Sequence, residues 1–176
     1  LLRDLGLTAD FFAPEAPEVL YTHKRAGGVD IYFLTNQSER SLSIEPLFRV
    51  HGKQPELWNP VTGETILTAR FLHQAQGTRV RLQLEPRGSL FVVFQKNSAG
   101  NSTVTKTLFN GEETDLPVRF LQDGMVQFEA VRSGSYQLLF SSGQKQTCDS
   151  IRVPSPLTLT GPWQVRFLDG GAALQS

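Results

Sequence analysis

The stretch Val19-Leu20-Tyr21-Thr22-His23-Lys24-Arg25-Ala26-Gly27-Gly28-Val29-Asp30-Ile31-Tyr32-Phe33-Leu34-Thr35-Asn36 decides the fold class. Its first run alternates, with Val19, Tyr21 and His23 on one side and Leu20, Thr22 and Lys24 on the other, which is the period of a half-buried strand. Ala26-Gly27-Gly28 is a turn, because consecutive glycines accept the positive φ angles of a tight hairpin connection. Val29 to Asn36 is then a second strand, rich in β-branched and aromatic residues. Two such runs around a short glycine turn predict an antiparallel hairpin, and across it Asp30 comes within reach of His23 or Arg25.

The same rhythm continues outward. Glu39-Arg40-Ser41 is a polar loop, and Leu42 to Val50 is a third strand whose Pro46, lacking a ladder donor, predicts an edge position or a bulge. In Pro55-Glu56-Leu57-Trp58-Asn59-Pro60-Val61-Thr62-Gly63-Glu64, the Asn-Pro and Thr-Gly pairs form turns around Leu57 and Trp58. Strands are predicted over Thr65 to Phe71, Thr78 to Leu84 and Ser89 to Phe94. The last is apolar on both faces, which places it centrally in a sheet. After the polar break Asn97 to Asn101, further strands are predicted over Thr103 to Phe109, Leu116 to Leu121, Met125 to Val131 and Gly134 to Phe140. Turn signals about every ten residues predict an all-β antiparallel sandwich, in one or two lobes. Leu1 to Leu5 before Gly6 reads as a short helix remnant with its glycine stop. Val153-Pro154-Ser155-Pro156 reads as a stiff linker, and Thr160 to Phe167 as the opening of one more strand.

Composition supports this class and excludes others. Twelve Phe, fifteen Gly and ten Pro beside a single Met favour short strands and turns over a helical bundle. A chain of 176 residues suits one domain or two small ones and can bury roughly 70% of its unfolded surface. Seventeen Lys and Arg balance seventeen Asp and Glu, so the clustered positive charge needed by a nucleic-acid or anionic-membrane binder is not expected. The single Cys148 rules out an internal disulfide framework and a thiolate zinc site. No apolar run approaches the ~20 residues of a membrane-spanning helix. The chain opens Leu1-Leu2-Arg3-Asp4, with neither an initiator Met nor a signal pattern, and stops at Gly170-Gly171-Ala172-Ala173-Leu174-Gln175-Ser176. Both ends read as cuts in a longer protein.

Tyr21-Thr22-His23-Lys24-Arg25, followed by Asp30 to Asn36, resembles the segment after the catalytic barrel in large bacterial glycoside hydrolases, in particular the family 106 α-L-rhamnosidases and their relatives. Pro55 to Gly63 and then Phe91-Val92-Val93-Phe94 fit that segment in the same order. Gly161-Pro162-Trp163-Gln164-Val165-Arg166-Phe167 resembles the start of the galactose-binding-like β-sandwich that comes next. The resemblance implies that residues 1–14 are the tail of an upstream barrel domain, 15–96 a β-sandwich lobe and 97–153 a second β lobe of the same region. Residues 154–176 would be a linker and the first strand of a truncated downstream domain. Glycoside hydrolysis generally needs two carboxyls roughly 5–10 Å apart. The resemblance puts that pair in the barrel, so no residue here is assigned as catalytic and the chain alone is not expected to hydrolyse. The implied role is to brace the barrel of an enzyme of plant or host polysaccharide breakdown, in a bacterial periplasm or outside the cell. The implied partners are the enzyme's own barrel and downstream domain, with the glycan met through the whole enzyme, and no nucleic acid or membrane.

Three residues are candidates for touching sugar. His23 and Arg25, in the motif nearest the barrel, carry donors suited to hydroxyls, although interface hydrogen bonds are their default use. Trp58 has a face suited to the C–H surface of a pyranose, although an aromatic beside proline turns more often plugs a core. Tyr21, Tyr32 and Trp163 are lesser candidates, and Trp163 suits the core of the next domain. His23, His51 and His73 have no ligand spacing, and the glutamates Glu56, Glu64, Glu112 and Glu113 sit in no calcium-loop pattern, so no metal site is expected. Gly27-Gly28 lacks the rest of a phosphate-binding fingerprint, and no cofactor is expected. Asn36 and Asn101 begin glycosylation triplets that a bacterial source makes incidental, and Cys148, with no base beside it in sequence, reads as a strand residue. Two other functions remain open: a carbohydrate-binding module with its own site, motivated by Trp58, Tyr21 and Tyr32, and an immunoglobulin-like interaction domain.

Overall fold

The structure, a computed structural model, describes residues 9–98, 100, 102–162 and 164. Its first strands are β1 (Phe11–Phe12), β2 (Val19–Ala26), β3 (Val29–Asn36), β4 (Leu42–Ile44), β5 (Leu47–Phe48), β6 (Lys53–Trp58), β7 (Thr65–Leu67), β8 (Phe71–Gln74), β9 (Gly77–Val80), β10 (Leu82–Leu84) and β11 (Ser89–Asn97). Then come β12 (Val104–Phe109), β13 (Glu112–Glu113), β14 (Val118–Phe120), β15 (Val126–Phe128), β16 (Gly134–Phe140) and β17 (Lys145–Ile151). No helix occurs among the described residues, and every pairing is antiparallel. The expected helix remnant at Leu1 to Leu5 and the expected place of Trp163 lie outside the described residues. From Arg152 to Pro162 the chain forms no regular element.

The glycine hairpin forms as its pattern predicts, with Val19 opposite Asn36 and Ala26 opposite Val29. Gly27 and Gly28 take φ of 56° and 80°, the left-handed values of a primed hairpin turn. This hairpin is one side of a five-stranded sheet ordered β2-β3-β11-β6-β7. Ser89 to Phe94 is central in it, as two-faced apolarity requires.

Facing it is a layer made of two ladders, β1-β5-β9-β8 and β10-β4. In them β4 and β5 run antiparallel to β10 and β9 as one long pairing, interrupted at Pro46. Leu42 pairs Leu84, Ile44 pairs Leu82, Leu47 pairs Arg79 and Phe48 pairs Thr78, so the register is the same on both sides. Pro46 is fully buried and sits at neither an edge nor a bulge, which corrects the expectation. It has no N–H to donate, so the ladder lapses there, yet its carbonyl still accepts from Val80 N at 3.2 Å. The interruption divides Leu42 to Val50 and Thr78 to Leu84 into two short strands each. Gly77 closes the β8-β9 hairpin, where a Cβ would collide with the Phe48 carbonyl oxygen, too close for any other residue.

Tyr32, Leu34, Val92 and Phe94 from the five-stranded sheet meet Phe48, Val80, Phe71 and Leu82 from the opposing layer. Tyr32, Phe48 and Phe94 pack as tilted and edge-on ring pairs with centroids 4.8–6.1 Å apart. The second β region is a sheet ordered β13-β12-β16-β17 plus the β14-β15 hairpin. Its Val104, Leu116, Val118, Phe120, Tyr136 and Leu138 belong to the same core. The seam is the segment Thr68-Ala69-Arg70: Ala69 N donates to Val118 O at 2.9 Å, Val104 N donates to Ala69 O at 2.8 Å, and Thr68 bridges Arg119.

Candidate functional site

Strand register settles where the three candidate sugar contacts lie. His23 is opposite Tyr32, Tyr32 is opposite Val92, and Val92 is opposite Leu57, so these share the inner face of the five-stranded sheet. Trp58 is opposite Phe91, which is opposite Phe33, so Trp58 is on the outer face. His23 and Trp58 therefore do not form one site.

His23 is held by structure on every side. Its ring stacks on Tyr32 with centroids 4.1 Å apart and planes 1° from parallel. Nδ1 is 3.2 Å from an Asp10 oxygen and Nε2 is 3.3 Å from Asp30 Oδ1. Asp30, buried, also receives Lys53 Nζ at 3.0 Å and has Arg25 Nε at 3.7 Å. Arg25 is mostly exposed and holds nothing else in place. Asp10 is bound by Arg49 as well, and hydrogen bonds from Arg49 and His23 hold its carboxyl below the usual range. Burial, with the nearby Asp10 and Asp30 charges, pushes the Tyr32 phenol well up, and its hydroxyl donates to the Asp10 carbonyl at 3.2 Å. The pairing of Asp30 with His23 and Arg25 across the hairpin is thus present.

The outer face has another character. Thr22, Phe33, Phe91, Trp58 and Thr65 form one row across the five strands, and Lys24, Ile31, Val93, Glu56 and Leu67 the next. Phe33 and Phe91 are half-buried, with centroids 4.7 Å apart, and Trp58 is 38% exposed. Trp58 is no plug of the sandwich core. At the centre is the buried Glu56 carboxylate, which accepts from Trp58 Nε1 at 3.1 Å and from Gln95 Nε2 at 2.9 and 3.0 Å. Tyr32, by contrast, is 0% exposed and cannot stack on a ligand, and Tyr21 packs on Phe11 with centroids 4.7 Å apart.

A concavity lies elsewhere, at the β7 end of the sandwich, between the inner face of the five-stranded sheet, β10 and the β14-β15 hairpin. It is a cleft of about 600 Å³. Leu57, Ile66 and Leu90 form its apolar floor, and the β14-β15 hairpin with Phe128 closes one side. Arg70, Arg81 and Arg119 line it with Glu64, Asp115 and Glu129.

Arg70 and Arg81 are cross-strand neighbours, since Arg81 N donates to Arg70 O at 3.0 Å. Two like charges so placed repel, and Asp115 from the second region resolves the conflict. Its Oδ1 accepts from Arg70 Nη1 at 2.7 Å and from Arg81 Nε at 3.2 Å, and Oδ2 accepts from Arg81 Nη2 at 3.2 Å. Ser43 also donates to it. Burial pushes the Asp115 carboxyl up, but hydrogen bonds from Ser43, Arg81 and Gln83 outweigh this and hold it below its ordinary value. Burial pulls the Arg70 guanidinium down, against the Asp115 charge. Arg70 is 6% exposed and its Nε–H has no acceptor among the described residues, an omission of about 1–3 kcal/mol for a buried donor.

No local pattern in the sequence points to this cleft. Arg70 and Arg81 sit inside predicted strands, which is the one available signal, and their partner Asp115 is 45 and 34 residues away. His73 donates to or accepts from Thr78 Oγ1 at 2.9 Å, and burial, then the nearby His51, lowers its pKa. Among the described residues no group of three or more His, Cys, Asp or Glu could hold a metal ion. Cys148 is a free thiol in β17, opposite Tyr136.

Known proteins share this architecture. Residues 1–70 match the family model described as alpha-L-rhamnosidase. A curated relative from Formosa agariphila, titled "Putative beta-glucuronidase", is 30% identical over 140 residues, covering 71% of this chain and 12% of its own. The solved rhamnosidase from Novosphingobium sp. PP1Y is 28% identical with a TM-score of 0.51, over 78% of this chain and 15% of that one. The chain is a rhamnosidase-like member of the glycoside hydrolases. It spans under a sixth of the length of either relative.

Proposed function

We propose that this chain is a non-catalytic β-sandwich module of a rhamnosidase-like glycoside hydrolase, bracing the catalytic unit during polysaccharide breakdown in a bacterial periplasm or outside the cell. The outer face of the five-stranded sheet carries the reading. Phe33, Phe91 and Trp58 stand half-open in a row over Ile31 and Val93, and the one buried charge among them, Glu56, is already paired. Aromatic rings around a desolvated, satisfied polar group are the composition of an interface centre.

The test compares this chain with a longer one that adds the preceding part of the enzyme, on aryl α-L-rhamnosides. Activity is expected only in the longer chain. Hydrolysis by the 176-residue chain alone overturns the bracing role, and inactivity of both overturns the substrate class.

A further inference from the structure

We infer that the cleft at the β7 end of the sandwich is a binding site for a neutral sugar residue of a glycan, separate from the aromatic outer face. The choice of a glycan as the source of that residue rests on the proposed place of the chain in a glycoside hydrolase. The choice of a neutral polyol rests on the cleft itself.

Its volume, about 600 Å³, falls within the roughly 300–1,000 Å³ of small-ligand sites. Its ionic lining is balanced: Arg70, Arg81 and Arg119 face Glu64, Asp115 and Glu129. An anion would gain from the arginines and be repelled by the carboxylates, and a cation the reverse, so a neutral ligand fits best. The floor of Leu57, Ile66 and Leu90, with Phe128 beside it, suits the C–H face of a pyranose, and the rim supplies both kinds of polar group that hydroxyls need. Gln127 accepts from Arg119 Nε through Oε1 at 2.8 Å, which leaves its amide N–H₂ to donate. Arg119 reaches Glu64 only at 3.5 Å, a loose contact that a hydroxyl inserted between them would replace with two better ones. The Glu129 carboxylate is an acceptor with no partner among the described residues. Behind this rim, the Arg70 guanidinium is locked onto Asp115 and Leu116 O by Nη1, while its buried Nε–H has no acceptor among the described residues.

The site is tested by NMR titration of the whole chain with L-rhamnose, D-galactose and D-glucose, and with D-glucuronate as the anionic arm. At least one neutral sugar should shift the Gln127 side-chain amide and the Leu57 and Ile66 methyls, saturating at millimolar concentration. Gln127→Ala and Glu129→Ala, both on the exposed hairpin, should each weaken binding about tenfold or more, the loss of a hydrogen bond to a charged or desolvated group. Trp58→Ala should leave it unchanged. No saturable shift with any neutral sugar, tighter binding of glucuronate than of every neutral sugar, or loss of binding with Trp58→Ala alone would each overturn the inference. These outcomes are independent of the rhamnoside assay: a chain that binds a neutral sugar while both enzyme forms are inactive keeps the site and loses the parent reading, and the reverse keeps the parent and loses the site.

Discussion

The two faces of the five-stranded sheet carry much the same residues and meet different surroundings. On the inner face Tyr32, Leu34, Val92 and Phe94 are sealed against Phe48, Val80 and Leu82. On the outer face Ile31, Phe33, Phe91 and Trp58 are left partly open. Side-chain hydrophobicity does not separate them, because Ile31 to Leu34 of β3 and Leu90 to Phe94 of β11 are apolar without a break. What separates them is that a second layer of the same chain covers one face only. A central strand apolar on both sides reports two apolar neighbours, and here just one of them is within the described residues.

The largest expected effect is at the sealed face. Phe48→Ala opens a cavity among Tyr32, Phe11 and Phe94 and should cost about 3–5 kcal/mol, seen as a lowered urea midpoint with an unchanged slope. Next comes the seam that joins the second β region to that core. Asp115→Asn removes the charge that holds Arg70 and Arg81 together and should cost roughly 2–3 kcal/mol, below the deep-burial limit because Asp115 keeps some exposure.

The same residue sets a pH dependence. Its folded pKa is lowered, so its contribution is complete above the unfolded value near 3.8 and is lost as pH falls through the folded value. Unfolding curves measured from neutral pH into this acid range should therefore be shallower in the variant than in the wild type. An unchanged slope would mean that Asp115 is not ionised against the arginines.

The smallest effect on the isolated chain is on the open face. Phe91→Ala should cost only about 1 kcal/mol, because its ring is already part-exposed and loses mainly its contact with Phe33. In a longer chain that adds the proposed catalytic unit, the same change should lower the temperature at which any activity on aryl α-L-rhamnosides is lost. Equal losses for Phe91→Ala and Phe48→Ala in the isolated chain would show that the two faces are alike after all.

Much of the fold was legible because it rests on local chemistry. The Gly27-Gly28 turn, the alternation of Val19 to Asn36 and the doubly apolar run Ser89 to Phe94 each report a short-range constraint, and each takes the position its pattern predicts. The pairing of Asp30 with His23 was legible for the same reason, since a two-residue turn fixes the register of the hairpin it closes. Pro46 was legible only as an interruption. Whether a missing N–H falls at an edge, at a bulge or inside a buried break depends on what stacks above it, and the unbroken register around it places it in the third of these. Trp58 misled because its turn-rich neighbourhood resembles the end of a sandwich, whereas strand parity turns its ring away from the core.

Residue types and short spacings suffice for the class: an all-β antiparallel chain, neutral, without disulfides, whose motifs resemble a segment of rhamnosidase-like enzymes. Those features depend on residue types and on spacings of a few positions. Which apolar face is buried in the core, and the convergence of Arg70, Arg81 and Asp115 on the wall of a cleft, follow from how the layers pack. A strand gives its residues a side but not a neighbour. Neighbours 34 and 45 residues apart are set by how the layers stack, which no local pattern encodes.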